Sequence, residues 1–459
     1  MNERKGKTSR ATALETLTLI EAEKIFANEA VDQALESVKL SAKDRALVTE
    51  MVYGTLRMRN ALDWILERIG NRKAADMPPY LRNILRLGAY QILYLARIPD
   101  AAAVNESVDL ARCYGHKGWT RYTNGVLRNI GRKKDKLPWP DPDADSGLFV
   151  SVFYSHPRWL VDRWLKRYGV NTTLELCQRN NEAPPLTIRA NTLKTTRKSL
   201  RNKFLAKDIE ADLCRYSSYG LILKGAPPIR KIEEFKLGLF SVQDEASMMV
   251  APIVSPQPNE RILDLCAAPG GKTAHMAEMM NNKGCLLAVD ISEKRLLDLQ
   301  QTCQRLGLDV VRTLAADAAR RIEGIDKQSA DRVLIDAPCS GTGVLRRRAD
   351  ARWQKYPDQI KKLAAVQGQI LSQAAEYVRP GGVLVYSTCS LEPEENEDQI
   401  DSFLQRDGRF ELDSLQPFLP ERLRKANGAE KGLLTLLPHQ YDTDGFFMAR
   451  MKKTLAARK

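Results

Sequence analysis

The sequence predicts a multidomain chain of three parts: an all-α domain over residues 1–137, a small α+β module behind a linker over 138–240, and an α/β Rossmann-like domain with a doubly wound parallel sheet over 241–455. Three observations predict it. Apolar residues recur at helical spacing through roughly the first 135 positions, with no strand alternation of any length. Prolines then alternate at 138, 140 and 142, a pattern that continues neither a helix nor a central strand. From Arg261 onward the rhythm changes to strand, turn, helix, which indicates a parallel sheet. A chain of 459 residues has room for about three domains of typical size.

In the first part, Ser41-Ala-Lys-Asp44 reads as a capping-box-like start. Leu47, Val48, Met51, Val52 and Leu56 then fall on one helical face. Pro78-Pro79 opens a second helix, in which Leu81, Ile84, Leu85, Ala89, Ile92 and Leu93 repeat the pattern until Ile98-Pro99. A third runs from Val104 through Ala111. The basic run Arg132-Lys-Lys-Asp-Lys136 precedes the proline linker, and His156-Pro-Arg-Trp-Leu160 leads into a helix ending near Gly169. The middle part shows short strands (Leu186 to Ala190, Leu221 to Leu223) and a basic helix around Thr196 to Ala206.

In the last part, strands are expected at Arg261 to Leu265, Cys285 to Val289, Val310 to Leu314, Arg332 to Ile335 and Gly382 to Tyr386. Helices start near Ala274 and span Lys294 to Leu306. The unusual residues follow the strands, and in such sheets the ligand lies at the strands' carboxyl ends, where strand order reverses.

The stretch Cys266-Ala-Ala-Pro-Gly-Gly-Lys-Thr273 follows the first strand. A small-residue turn there lets backbone approach a ligand and presents free helix N–H groups. Asp290, 19 positions beyond Gly271, ends the second strand, where a carboxylate can accept from ribose hydroxyls. Asp317 and Asp336 end the third and fourth. No GxGxxG run addresses a pyrophosphate, so a nucleoside-type ligand fits better than a dinucleotide. The acidic surround suits a cation such as the sulfonium of S-adenosylmethionine. Helix capping explains any one of these aspartates equally well; it explains three at successive strand ends poorly.

Two of the eight cysteines, Cys339 and Cys389, stand just after strands among polar and turn-forming residues, a poor place to bury a hydrophobe. A thiolate adding at carbon 6 of cytosine turns carbon 5 into a carbon nucleophile, able to take a methyl group. Lys272 or the cluster Arg346, Arg347 and Arg348 could favour the thiolate. Asp336, three residues from Cys339, could serve as the acid at ring nitrogen 3. Which cysteine attacks is left open by spacing alone.

Composition narrows the partners. A net charge of +14 and a pI near 9.3 favour a polyanion. No apolar stretch approaches a membrane span, and Glu15, Glu21 and Glu23 interrupt the run a signal peptide would need, so the cytoplasm is expected. The cysteines and the four histidines form no zinc-spaced cluster, so no metal site is expected. Nothing points to an obligate protein partner, and a monomer is expected.

The motifs Asp264-Leu-Cys-Ala-Ala-Pro-Gly-Gly-Lys-Thr273, Asp336-Ala-Pro-Cys-Ser-Gly-Thr-Gly343 and Tyr386-Ser-Thr-Cys-Ser390 resemble those of the Sun/Nop2 RNA 5-methylcytosine methyltransferases. Leu391-Glu-Pro-Glu-Glu-Asn396 and Phe240-Ser-Val-Gln-Asp-Glu-Ala-Ser247 match that family too. The first domain resembles the NusB-type RNA-binding fold, through Tyr80-Leu-Arg-Asn-Ile-Leu-Arg-Leu-Gly-Ala-Tyr90, Ala103-Val-Asn-Glu106 and Asn124-Gly-Val-Leu-Arg128. The combination implies a class I methyltransferase acting on one cytosine of small-subunit ribosomal RNA. The resemblance implies that Cys389 is the nucleophile and that Cys339 assists product release. It also implies cofactor contacts from Cys266, Ala267, Ala268, Pro269, Gly270, Gly271, Lys272, Asp290, Asp317 and Asp336, with Lys272 and Asp336 near the base. DNA cytosine methyltransferases use a Pro-Cys nucleophile, which keeps Cys339 as the alternative. Ala349 stands where many relatives carry proline, which affects the shape of that loop.

A cytosine must leave any stack to meet a thiol, so a single-stranded or loop target is expected. Arg189, Asn191 and the arginine cluster are the candidate backbone contacts. A methyltransferase of proteins or small molecules would need no cysteine pair, and a catalytically silent RNA chaperone would lack a functional residue; neither description fits. The basic balance predicts RNA affinity that falls steeply with added salt. Filter binding from 50 to 200 mM salt checks this, and a nearly flat response would contradict it.

Overall fold

The computed structural model describes residues 8–455, which divide into two compact units: residues up to 182 with 345–355, and 183–344 with 356 onward. Among the described residues no helix is long and apolar enough to cross a membrane, and no group of His, Cys, Asp or Glu could hold a metal ion.

The N-terminal unit is helical. Ser41 caps Ala42–Arg57, its hydroxyl accepting from the Asp44 amide at 3.1 Å, and the expected face of that helix is buried at Val48, Met51 and Val52. Pro79 opens Pro79–Tyr94, at a first-turn position where its missing N–H leaves nothing unsatisfied. That helix is buried from Leu81 through nearly every residue to Ile92, and Ser9–Glu23, Ala42–Arg57, Arg59–Gly70, Asp100–Tyr114 and Lys117–Lys133 all pack against it. The helix expected to stop near Gly169 does break there, at φ +77°, but a second helical stretch continues to Asn180.

The expected boundary at 137/138 is not where this unit ends. The Trp64 indole donates to the Pro138 carbonyl at 2.7 Å, and Asn60 donates to Ser151 O at 2.9 Å through its side chain and to Ser155 Oγ at 3.0 Å through its backbone. The prolines therefore lay the chain along the helical core, and Ser146–Phe153 and Arg158–Asn180 belong to the same body.

Residues 345–355 also fold with this unit. Arg352 is wholly buried and donates to the carbonyls of Ser155 (2.9 Å) and Asn180 (3.0 Å) and to Oδ1 of Asn181 (2.9 Å). Asn180 closes a helix, whose last carbonyls lack intrahelical donors and carry partial negative charge. Burial, with Arg57 nearby and no carboxylate partner, brings the Arg352 pKa down to about 9. Asp350 Oδ2 accepts from the Ala27 amide at 2.9 Å, at the first residue of the helix Ala27–Ser37.

In the second unit, β1 (Leu186–Ala190), β2 (Glu210–Leu213), β3 (Gly220–Lys224) and β4 (Phe240–Val242) form an antiparallel sheet in the order β2-β3-β1-β4. The basic helix Arg197–Leu205 covers it through Leu200 and Phe204, which pack with Ile188, Leu221 and Phe240. The larger sheet contains β5 (Arg261–Leu265), β6 (Cys285–Asp290), β7 (Val311–Ala315), β8 (Ala330–Asp336), β9 (Val378–Thr388), β10 (Phe410–Leu412), β11 (Leu433–Leu436) and β12 (Phe446–Lys453). Its order is β10-β12-β9-β8-β5-β6-β7, with β11 also on β12; β5 to β9 are parallel and β12 runs against β9. Neighbouring residues such as Ile262 and Leu263 enter separate cores on the two faces, which is why these strands read as continuous apolar runs.

Replacing Arg352 with Met leaves buried carbonyls at two helix-associated turns without donors. Arg352→Met therefore lowers the stability of the N-terminal unit by about 3 kcal/mol, measured by chemical unfolding. A loss near zero would show that water replaces the guanidinium without penalty.

Candidate active site

Strand order reverses between β5 and β8: β6 and β7 follow on one side, β9 lies on the other. Loops leaving those two carboxyl ends diverge and open a crevice. From Leu265 the chain turns through Cys266 (φ +82°) and Gly270 (φ +99°) into the helix Gly271–Met279. A Cβ on Gly270 would lie 2.7 Å from Leu299 Cγ, so both the turn and the close approach require glycine. The Cys266 and Ala267 amides both donate to Val289 O at 2.8 Å, which staples the turn to β6. The amides of Gly271, Lys272 and Thr273 have no intrahelical acceptor.

Three carboxylates surround this turn. Asp290 closes β6, 4% exposed, accepting from the Ala268 amide (3.1 Å) and the Ser292 amide (3.0 Å). Asp317 lies two residues past the end of β7 and accepts from the Ala319 amide at 3.0 Å, with Arg320 at 3.3 Å. Asp336 closes β8, pairing with Lys272 Nζ at 2.7 Å and accepting from Ser387 Oγ at 3.0 Å. Beneath the turn, burial pushes the Asp264 pKa up to about 7, against a 2.6 Å bond from Thr273 Oγ1. Its Oδ1 is buried with no donor among the described residues. Open helix amides and carboxylate acceptors placed for ribose hydroxyls and for a cation fit S-adenosylmethionine, which carries hydroxyls, an ammonium and a cationic sulfonium. Asp290 and the turn would hold the nucleoside, and Asp336 and Asp264 the cationic portion.

The cysteines meet at the next pair of strand ends. β8 and β9 are parallel neighbours with Asp336 opposite Ser387, so the loops carrying Cys339 and Cys389 leave the sheet side by side. The two sulfurs lie 3.4 Å apart, both cysteines partly accessible and neither in a disulfide. The hydrogen bond to Cys389 and burial, with the charges of Glu395 and Asp336, push the Cys339 thiol well above its ordinary range. The two thiols are within hydrogen-bonding reach, and either sulfur can be the donor.

Glu395, which lies inside the family-like run Leu391-Glu-Pro-Glu-Glu-Asn396, holds this arrangement. It is wholly buried and accepts from the Ser340 amide (2.7 Å), the Ser340 hydroxyl, the Ser390 hydroxyl and Gln367 Nε2 (3.2 Å). Ser340 follows Cys339 and Ser390 follows Cys389. One carboxylate thus bridges both loops, its pKa raised by burial in opposition to these bonds. The Gly343 amide donates to Cys389 O at 2.9 Å, and a Cβ on Gly343 would strike Gly445 O at 2.3 Å. A glutamate in the turn Pro393–Glu395 six residues past Cys389 was the available signal, but no spacing rule separates Glu395 from Glu392 and Glu394.

The expected RNA contacts fare differently. Arg189 is wholly buried, donating to Gln243 Oε1 at 2.7 Å and paired with Glu278. Asn191 is wholly buried, donating to Gly238 O (3.0 Å) and Leu306 O (2.9 Å). Both side chains are spent inside the unit and present nothing to a phosphate. Of the arginine cluster, Arg346 is buried, Arg347 is partly exposed and Arg348 is exposed, over the Phe26 ring at 5.7 Å. All three fold with the N-terminal unit.

A mild thiol oxidant tests the clamp without reference to activity, since the sulfurs need move only from 3.4 Å to the roughly 2.05 Å of a disulfide. Wild-type protein forms the Cys339–Cys389 bond readily, and Glu395→Ala slows it at least about tenfold by releasing both loops. Equal rates by peptide mapping would show that the loops hold without Glu395.

Comparison with known proteins agrees with this geometry. Residues 251–452 match the family model "16S rRNA methyltransferase RsmB/F", 7–132 the NusB family, and 156–230 the "Methyltr_RsmF/B-like, ferredoxin-like domain". The Bacillus subtilis protein named "Probable ribosomal RNA small subunit methyltransferase B" is 39% identical over 97% of this chain and 99% of its own. The solved structure of PH0851 is 28% identical, with a TM-score of 0.82 over 99% of this chain and 100% of that one. A methyltransferase homologue from Pyrococcus horikoshii is 30% identical, with a TM-score of 0.58 over 67% of this chain and 99% of that one. An N-terminal NusB-like helical domain, a ferredoxin-like module and a Rossmann-like catalytic sheet using S-adenosylmethionine therefore describe the molecule. The chain belongs to the RsmB/Sun family of ribosomal RNA small subunit methyltransferases.

Proposed function

We propose that this chain methylates carbon 5 of one cytosine in small-subunit ribosomal RNA, cytosine 967 of 16S rRNA by analogy with the family, through a covalent bond between Cys389 and the base. The observation that carries the reading is the pair of sulfurs 3.4 Å apart, on loops beside the cofactor turn. A cytoplasmic monomer acting without an obligate protein partner suits the same reading.

S-adenosylmethionine supplies an electrophilic methyl group on its sulfonium. The residues of this chain make carbon 5 able to receive it. Cys389, as thiolate, forms a carbon–sulfur bond at carbon 6, and the displaced electron pair is taken up as ring nitrogen 3 gains a proton. The Lys272–Asp336 pair, 2.7 Å apart, holds the mobile proton for that transfer and orients the base through the carboxylate. Carbon 5, now enamine-like, takes the methyl group, and the nitrogen 3 proton returns to the pair. A base then removes the carbon 5 proton, the 5,6 double bond reforms and the Cys389 sulfur departs with the bonding electrons. Cys339, its sulfur 3.4 Å from that of Cys389, is placed to hydrogen-bond to the departing thiolate. Electrostatic preparation of this kind is worth factors of about 10² to 10³ per donor in comparable sites.

RNA contact is assigned to surfaces other than Arg189 and Asn191, with Arg347 and Arg348 as the retained candidates. The decisive experiment uses two variants with radiolabelled methyl donor and ribosomal RNA transcript. Cys389→Ser abolishes methyl transfer. Cys339→Ser accumulates a protein–RNA adduct that survives denaturing gel electrophoresis. Normal methylation by both variants would overturn the covalent mechanism, and an adduct in Cys389→Ser alone would reverse the two roles.

A further inference from the structure

Within the N-terminal unit, a cavity of about 410 Å³ opens between the helix Pro79–Tyr94 and the end of the helix Ser146–Phe153, a size in the range of small-ligand clefts. Its walls are aromatic. Tyr90 and Tyr94 stack at 5.4 Å and 28°, and Trp139 meets Phe153 edge-on at 5.0 Å and 67°. Tyr94 and Phe153 each remain 37% exposed, which leaves two large rings facing solvent on one hollow. Arg57 lines the same cavity. Its Nε is shielded from solvent and has no hydrogen-bond partner, and no ion pair joins its guanidinium among the described residues. The exposed Gln178 amide completes the rim, a group with two donors and an acceptor to offer.

The simplest alternative is that the rings only pack the proline segment against the helices. Packing accounts for Tyr90, which is buried and bonded to Glu50 at 2.6 Å. It also accounts for one side of each remaining ring, since Tyr94 stacks on Tyr90 and Phe153 on Phe149, but not for the parts they leave exposed or for Arg57, because the carboxylate that lines the same cavity, Glu182, pairs with Arg179. A sugar or an apolar peptide would use the rings but not the cation, and a bare phosphate the reverse. A nucleotide uses all of them: a π face, an anionic phosphate and a hydrogen-bonding edge.

We propose that this cavity binds one unstacked nucleotide from a single-stranded stretch of the ribosomal RNA substrate, its base against Tyr94 and Phe153, its phosphate at Arg57 and its edge read by Gln178. It would give the helical unit a grip on RNA through stacking as well as charge. The inference rests on RNA being the substrate and is independent of the covalent mechanism.

The test measures binding of a small-subunit ribosomal RNA transcript to the full chain by filter retention. Tyr94→Ala and Phe153→Ala each raise Kd by about five- to a hundredfold, the range of a lost base–aromatic stack, while Tyr94→Phe, which keeps the ring, stays within about twofold of wild type. The KM for RNA rises with Kd, and the KM for S-adenosylmethionine does not change. Both rings are partly exposed, so folding is expected to survive; thermal unfolding checks this. A second reading needs no truncation of Tyr94 or Phe153: RNA quenches tryptophan fluorescence in the wild type, and Trp139→Phe, which removes one of six tryptophans, is quenched measurably less. Unchanged Kd in both alanine variants, or quenching in Trp139→Phe equal to that of the wild type, overturns the proposal. Failure of the wild type itself to bind RNA would instead refute the substrate reading.

Discussion

One buried carboxylate makes a single object of two loops. Glu395 accepts four hydrogen bonds, from the residues that follow each cysteine and from Gln367. Taking a carboxylate out of water costs several kcal/mol; donors aimed at it, each worth about 1.5–3 kcal/mol when one partner is charged, offset that cost. The consequence is positional. Cys339 and Cys389 are 50 positions apart in the chain, yet their sulfurs stay within contact because Ser340 and Ser390 share one anchor. The backbone approach of Gly343 to Gly445 and Cys389 closes the same joint from the other side.

The sheet supplies what the clamp acts upon. Parallel register sets Asp336 beside Ser387 and the cofactor turn beside Asp290, so the methyl donor's cradle and the thiols emerge from adjacent strand ends. Both faces of these strands are packed with apolar side chains, and close-packed interiors yield little to strain. The loops can therefore be short and polar without wandering. Lys272 links the two halves of the site: it belongs to the cofactor turn and reaches the end of the thiol-bearing strand through Asp336.

Much of this was legible in the sequence, for identifiable reasons. Arg261–Leu265 reads directly because Ile262, Leu263 and Leu265, bound for cores on both faces, lead straight into a turn of small residues. The helix Pro79–Tyr94 reads because proline and the 3.6-residue period agree. The strands β10 to β12 did not announce themselves, since their alternation is broken by pairing at a sheet edge and against an antiparallel neighbour. Arg189 and Asn191 misled because a charge or an amide in isolation looks like surface; only the fold reveals Glu278 and two backbone carbonyls waiting for them. That the arginine cluster, three residues beyond Gly343 in the chain, folds with the helical unit could not be read from adjacency. Glu395 stood within the family-like run 391–396, but its own role was not legible there, because what separates it from the neighbouring acids is made entirely by what surrounds it.

The central claim is that Cys389 forms a bond to the base. Its most direct measurement uses an RNA fragment whose target cytosine carries fluorine at carbon 5, incubated with the methyl donor and the intact protein. Fluorine cannot leave as a proton does, so the methylated adduct cannot resolve. The account predicts a stable protein–RNA species whose digest yields a single modified peptide containing Cys389. No trapped species, or one joined through Cys339, would contradict it.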